Sequence, residues 1–368
     1  VTPPSVTIVD FLSGRGFGGH YEDYLASLQK ALGEYSPETI APFLDGEPVP
    51  SGRLGFYRVE FSGYRRALRR GGATVVHSAE FSDYLCLWAA ARTVKLEHRA
   101  KCLLVLRRSP NPESMAVGSE RLGRLLVRLI GGMLRGGVIH PVSDSAPALK
   151  AWLDLAPGVT GELVELPPVP GISTDEKPTV ELPEPAGPLV AIAGRMRAEK
   201  GAANYPAVVD GALAALPDGA IALQTSEDDD TAHEALVQIR ATHDEDPRVA
   251  LLSAHLTPAD YTALLTAADI VVLPYETAVY GTGTSGVVSD ALALGGIVVV
   301  SPIEWAKQTY ADDPRVIFLE NPSSSDAARD SIAEAATRLS QASSGVHAQA
   351  NFAASWQEAI AAATNRSE

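Results

Sequence analysis

Short runs of β-branched and apolar residues, each closed by Gly, Ser or a charged side chain, alternate along the chain with longer segments whose apolar residues recur every three or four positions. The runs VTIVDFL, TIAPFL, TVVHSA, CLLVLR and GVIHPVS read as strands in the first half, and LVAIAG, AIALQTS, VALLSA, DIVVLPY, GIVVVS and RVIFLE in the second. The helical period is clearest over 21–35, 82–100 and 113–135, and the Ala-rich stretch 326–364 carries Trp356 in a final helix. Strands alternating with helices predict an α/β protein whose parallel sheets are covered on both faces. Between 166 and 188 the segment LPPVPGISTDEKPTVELPEPAGP holds seven prolines and no apolar period, so it reads as a linker. The expected organisation is two doubly wound, Rossmann-like domains, 1–170 and 171–345, with a terminal helix over 346–368. Two such domains facing across a cleft bind ligand outside the carboxyl ends of their strands.

Composition narrows the class. The 368 residues are 46% hydrophobic and 20% charged, too apolar for a disordered chain and enough for two domains or three. No apolar run approaches the ~20 residues of a membrane-spanning helix, and VTPPSVTIVDF has neither the basic region nor the cleavage site of a signal peptide, so a cytoplasmic location is expected. Cys86 and Cys102 each stand in an apolar stretch, which excludes a disulfide framework and a cysteine-built zinc site. A net charge of -15 argues against a nucleic-acid partner. That charge is uneven: residues 1–170 hold 19 Lys/Arg against 17 Asp/Glu, and residues 171–368 hold 11 against 28, as for two bodies that meet different partners.

Candidate chemistry follows the strands. GRMRAEKG, directly after LVAIAG, presents Arg195 and Lys200 about a helical turn apart, which suits two negative groups such as a diphosphate, or a solvated charge cluster at a helix start. YGTGTSGVVSDALALGG, after DIVVLPY, leads small residues into a helix over 287–294. Backbone N–H groups around Gly283, Thr284, Ser285 and Gly286 and the positive helix end then converge as an anion site, unless the loop is an ordinary connection. Asp290, placed in the first turn of that helix, either complements its dipole or accepts hydrogen bonds from a ribose. SGRGFGGHYEDYLASL, after the first strand, lacks dinucleotide-fingerprint spacing, yet Gly18 and Gly19 permit close approach of a ligand to the backbone.

Together these motifs resemble the retaining GT-B glycosyltransferases of family 4, over nearly the whole chain. GFGGHYEDYLASLQKAL is similar to the family's opening glycine loop and helix, and GRMRAEKG to its Gly-Arg-(x)4-Lys-Gly diphosphate motif. SAHLTPADYTALLTAADIVVLPY resembles the segment carrying the base-binding loop, and GTSGVVSDALALGGIVVVS the donor helix and following strand. The resemblance implies a nucleotide-sugar donor whose diphosphate is bound, and whose departure is assisted, by Arg195 and Lys200. It implies a nucleobase held by backbone around Ala254 and His255, and a ribose contact from Asp290 as the second acid of a Glu-(x)7-Glu pattern. It also implies a terminal helix that crosses back onto the acceptor-side N-terminal domain, and no metal cofactor. At the first acid of that pattern stands Thr282, which leaves the sugar to the Gly281–Gly286 backbone. Where family members place a histidine after a central strand, CLLVLRRSP offers Arg107 and Arg108, either for an anionic group on donor or acceptor or for ion pairs; His20 and His77 are the nearest imidazoles.

Asp228–Asp230 reads as a solvated loop rather than a metal site. Arg121, Arg124, Arg128 and Arg135 line one face of the 113–135 helix against Leu125, Leu126, Leu129, Ile130 and Met133, a pattern that suits a core-facing helix with a basic outer side or peripheral contact with an anionic membrane. P-loop, HExxH and GxSxG motifs are lacking. The leading expectation is a retaining transferase that moves a hexose-type sugar from a nucleoside diphosphate to the hydroxyl of an unidentified acceptor. Its alternatives are a GT-B-like sugar-nucleotide epimerase and a non-catalytic sugar-nucleotide-binding relative.

Overall fold

A computed structural model describes residues 4–15, 21–96, 99–112, 119–166, 177–227, 229–339 and 352–365. The chain forms two compact units, Val1–Pro168 with Ala350–Glu368, and Val169–Gln349. The first unit holds β1 (Val6–Val9), α1 (Tyr21–Ala31), β2 (Glu38–Ile40), α2 (Arg53–Arg69), β3 (Ala73–Val76), α3 (Phe81–Arg92), β4 (Lys101–Val105), α4 (Glu120–Arg135), β5 (Ile139–Ser143), α5 (Ala146–Asp154), β6 (Glu162–Leu163) and the C-terminal α13 (Phe352–Asn365). Its strands are all parallel in the order β2-β1-β3-β4-β5-β6. Every residue of β1 and β3 is buried, which is why these runs show no polar alternation: helices cover both faces. On one face Tyr64, Leu87, Ile130 and Trp152 bring α2 to α5 onto the sheet. On the other, Leu25 and Leu28 of α1 pack with Trp356 and Ile360 of α13 over Ile8, Val75 and Leu103.

Element limits differ from the sequence pattern where capping decides them. The first helix ends at Ala31 and Gly33–Tyr35 continues as a 3-10 turn. The helix expected over 82–100 stops at Arg92, where the Thr93 hydroxyl donates to the Ala90 carbonyl. The helix expected over 113–135 begins at Glu120 because the Ser119 hydroxyl accepts the Leu122 N–H; residues 113–118 lie outside the described residues. Arg121, Arg124, Arg128 and Arg135 are exposed along α4 and Leu126, Ile130 and Met133 are buried, but Leu125, expected on the core side, is 49% exposed among the arginines. No helix among the described residues is long and apolar enough to cross a membrane.

The second unit holds β7 (Leu189–Ile192), α6 (Tyr205–Ala215), β8 (Ala220–Gln224), α7 (Asp230–His243), β9 (Val249–Leu252), α8 (Pro258–Ala267), β10 (Ile270–Leu273), α9 (Thr277–Tyr280), α10 (Gly286–Ala293), β11 (Ile297–Val300), α11 (Glu304–Tyr310), β12 (Val316–Phe318) and α12 (Ser325–Leu339). Its six strands are parallel in the order β12-β11-β10-β7-β8-β9, so the winding reverses between β7 and β10. The described end of the proline-rich segment is pinned to this unit, where the Thr179 and Val180 N–H groups donate to Asp260 of α8 at 2.6 and 2.9 Å.

Candidate functional site

In a parallel sheet every carboxyl end lies on one edge, and helices wound to opposite faces leave a crevice where the strand order reverses. In the second unit that place is flanked by the turns after β7 and β10. The first is GRMRAEKG. Gly194 has φ +93 and donates its N–H to the Gln224 side chain at 2.8 Å. A Cβ on Gly194 would stand 2.7 Å from the Lys200 ammonium and 3.6 Å from Val287, so Lys200 folds back over the strand end beside the first turn of α10. The 3-10 turn Ala198–Lys200 ends at Gly201, whose φ of +78 and contact with the Pro274 carbonyl leave no room for a side chain. Asn204 donates to that same carbonyl at 3.2 Å, and the Glu276 N–H donates to the Glu199 carbonyl at 3.3 Å. The two turns are therefore one hydrogen-bonded body.

Three cations crowd this turn: Arg195, Arg197 and Lys200, with Glu199 3.4 Å from Arg197. Burial, with Arg197 and Arg195 adding repulsion against the attraction of Glu199, pulls the half-buried Lys200 down to about 8. An anion here would restore what the ammonium has lost in water.

The second turn is built on tyrosine. Tyr275 stacks on Tyr280 at 4.2 Å and hydrogen-bonds Ser285 at 2.6 Å, and Tyr280 donates to the Thr284 carbonyl at 2.9 Å. Ser285 caps α10 by accepting the Val288 N–H. Gly286, the first helical residue, is exposed and a Cβ there would meet nothing within 4 Å, so the helix start faces open space. Gly283 is buried against the Tyr280 carbonyl, and Thr282 and Thr284 are half-buried. Asp290 is the fifth residue of α10, not in its first turn as the sequence suggested, because the helix starts at Gly286. It is 4% exposed and accepts the Tyr261 hydroxyl at 3.0 Å, tying α10 to α8.

Residues that sequence reasoning passed over complete the site. Gln224, closing the apolar run AIALQ, receives the Gly194 N–H and donates to the Ala254 carbonyl at 3.0 Å, so one amide joins the cationic turn to the loop of Ala254 and the exposed His255. A polar residue ending a fully buried strand was the available signal. Asp229 does not stand in a solvated loop as its acidic run predicts: it caps α7 through the Ala232 N–H and accepts the Ala198 N–H at 3.0 Å. Asp230 opens α7, Asp228 lies outside the described residues, and no group of three metal-ligating side chains occurs among the described residues.

In the first unit the winding reverses between β1 and β3. Gly18, Gly19 and His20 lie outside the described residues. His77, after β3, is wholly buried: Nε2 is 3.2 Å from Asp10, Nδ1 is 3.1 Å from the Ser78 hydroxyl, and its ring stacks on Tyr24 at 5.0 Å. Burial pulls the imidazole down despite the nearby Asp10 carboxylate. Burial alone would raise Asp10, but the hydrogen bond and charge of His77 and two bonds from Ser13 hold it at about 2. Arg107, at the end of β4, donates to Asp144 at 2.8 Å, to the His77 carbonyl at 2.8 Å and to the Ser78 hydroxyl at 3.1 Å, clasping the ends of β3, β4 and β5. Arg108 is exposed beside it.

No family model and no curated protein matches the chain. Solved structures do, over almost their whole length. Sucrose-phosphate synthase from Thermosynechococcus elongatus superposes with a TM-score of 0.65 at 15% identity, covering 98% of this chain and 94% of that one. The UDP-forming α,α-trehalose-phosphate synthase from Burkholderia xenovorans, in complex with glucose 6-phosphate, gives 0.62 at 13% identity, covering 98% of each chain. Anabaena HepE, in complex with UDP and glucose, gives 0.61 at 15% identity, covering 99% of this chain and 98% of that one. At such identities the likeness is one of architecture: the chain shares with these proteins the GT-B fold of two parallel, six-stranded α/β units.

Proposed function

We propose that the chain is a retaining glycosyltransferase that moves a hexose-type sugar from a nucleoside diphosphate, UDP first among the candidates, to an acceptor hydroxyl. The observation that carries the reading is the joined pair of turns at the β7/β10 reversal, where Lys200 lies over Gly194 against the first turn of α10. Lys200 beside an open helix start, with Arg195 next to Gly194 along the chain, suits a diphosphate that gains charge as it leaves. The fold shared with HepE, solved with UDP and glucose, supports the nucleotide and sugar classes.

In this reading the bond from the anomeric carbon to the diphosphate oxygen breaks as the acceptor oxygen bonds the same carbon from the same face. The acceptor proton passes to the departing phosphate oxygen, so no side-chain nucleophile is needed. Arg195, Lys200 and the α10 start supply the counter-charge. The backbone after β9 at Ala254 and His255 holds the base, and the Thr282–Gly286 loop holds the sugar. A thermal-shift screen against UDP, GDP, ADP and TDP identifies the nucleotide, since a ligand bound to the native state raises its stability by mass action. Incubation with labelled UDP- and GDP-sugars then separates transfer with retained anomeric configuration from isomerisation or binding alone. Inverted product would remove the retaining assignment, and loss of transfer on chelation would remove the metal-free one.

A further inference from the structure

Of the seven lysines in the chain, Lys200 is the one that is half-buried; Lys30, Lys95, Lys101, Lys150, Lys177 and Lys307 are exposed. An exposed, hydrated ammonium keeps its proton near neutral pH and so has no lone pair with which to attack. Lys200 is placed differently. Its nitrogen lies where a Cβ on Gly194 would be 2.7 Å away, with Val287 beside the same point. No carboxylate among the described residues stands within ion-pair distance of it, since Glu199, its neighbour along the chain, is turned to Arg197 at 3.4 Å. Desolvation and nearby like charge are the two conditions that turn a lysine into a nucleophile, and Lys200 meets both: burial comes first, and Arg197 and Arg195 add repulsion. Held at about 8, a substantial part of the side chain is free amine near neutral pH.

The same surroundings select the reagent. The two guanidiniums that repel the ammonium draw an anion to the place it occupies, and an uncharged electrophile gains nothing from them. An acyl phosphate is an anion whose electrophilic carbon is one oxygen away from its phosphorus, so binding the phosphate brings the carbonyl to the amine. We propose that Lys200 is a modification site for acyl phosphates, acylated on its side-chain nitrogen without a second enzyme, and that this modification switches off diphosphate binding in the second unit. The amine lone pair attacks the acyl carbon and an N–C bond forms. The C–O bond to the phosphate breaks, and inorganic phosphate leaves with the amine proton. The product is a neutral amide, so the turn loses a cation. The modification stands on the surroundings of Lys200 alone; the switch rests on the transferase reading above.

Peptide mass spectrometry of the full chain, sampled over time in acetyl phosphate at about pH 7.5, compares the lysines with one another. Lys200 is expected to acylate about tenfold faster than the fastest of the other six, its larger share of free amine being partly offset by weaker basicity. Inorganic pyrophosphate should slow Lys200 and leave the others unchanged. With N-hydroxysuccinimide acetate, which offers the arginines no charge, the advantage should shrink by about threefold or more. A Lys200 no faster than the exposed lysines would overturn the site. An advantage equal for both reagents, or no protection by pyrophosphate, would overturn its choice of acyl phosphates. Titration calorimetry then tests the switch: acylation of Lys200 should weaken UDP by about tenfold or more, and treatment of Lys200→Arg, whatever its own affinity, should change nothing. UDP affinity unaltered by complete acylation of Lys200 would overturn the switch. A chain acylated as described that binds no nucleoside diphosphate before treatment would keep the modification site and lose the transferase reading, so the two failures are distinct.

Discussion

At the scale of the residue, Lys200 is the most telling side chain, because the protein holds it where its charge is hard to keep. Burial beside Arg195 and Arg197 lowers it to about 8, a cost that a diphosphate would offset. Replacing Lys200 or Arg195 by Ala is expected to lower turnover by about 10²–10³-fold, the scale of a lost charge-stabilising group in a transition state, with the melting temperature near wild type. Near-wild-type turnover in either variant would remove its role. The pH dependence has a definite sign: above about 8 the free protein loses the Lys200 proton, so UDP affinity should fall with rising pH, at most tenfold per unit for one group. In Lys200→Arg, which stays charged, calorimetry should show no such fall up to pH 10. Arg195 and Lys200 were legible in the sequence because their motif is contiguous and directly follows a strand. Gln224 and Asp229 were not, because their partners, Gly194, Ala254 and Ala198, come from other strands and loops and meet them only once the sheet is assembled. The Tyr261 hydroxyl bond to Asp290 was not legible either, since α8 and α10 meet only in the fold.

At the scale of the element, all six strands of the second unit could be read from sequence, since a parallel sheet buried on both faces needs unbroken β-branched runs. Helix limits were less legible because they depend on single caps such as Ser119. The turn between β7 and α6 shows how strictly an element can be specified. Gly201→Ala would need both a left-handed φ and displacement of the Pro274 carbonyl, so it should cost roughly 2–4 kcal/mol and abolish UDP binding together with stability. The α2–α3 pair makes a different prediction. Glu60 and Asp83 are both buried between these helices, where Glu60 accepts the Ser82 hydroxyl and Asp83 accepts the Tyr64 hydroxyl, each at 2.8 Å. Burial is the first cause raising Glu60 to about 7 and Asp83 to about 8; the charge of Glu80 adds to it at both, and that of Glu60 at Asp83. A carboxyl raised in this way binds its proton more tightly folded than unfolded. Stability is then full below about pH 4 and declines as the pH rises through 7 to 8. Glu60→Gln keeps an acceptor for Ser82 and removes one charge. It should match wild type near pH 5 and exceed it at pH 8.5 by on the order of 2 kcal/mol in urea unfolding, and an unchanged pH profile would refute the pairing.

At the scale of the whole molecule, the chain's last described helix belongs to the unit formed by its first residues. Among the described residues, α1 and α13 together cover Ile8, Val75 and Leu103 on one face of the first sheet, and Trp356 and Ile360, both fully buried, fill the space that α1 leaves. The helix is further held by the Ser355 hydroxyl, which accepts the Glu165 N–H at 3.1 Å, and by Gln357, which donates to the Ala31 carbonyl at 3.4 Å. The second unit completes its own core with α12, which lies close enough to α6 that a Cβ on Gly211 would strike the Ser325 carbonyl at 2.6 Å. Trp356→Ala should therefore cost about 3–5 kcal/mol, charged to the first unit, which for a unit of this size lowers its melting by roughly 6–20 °C. The turns of the second unit proposed to hold the donor contain none of the displaced atoms, so on that proposal UDP should still raise the remaining transition by the wild-type increment. Calorimetric scans of the variant with and without UDP decide the matter. A low transition indifferent to UDP beside a high one that responds supports separate cores, whereas loss of the UDP response would mean that α13 stabilises the second unit as well.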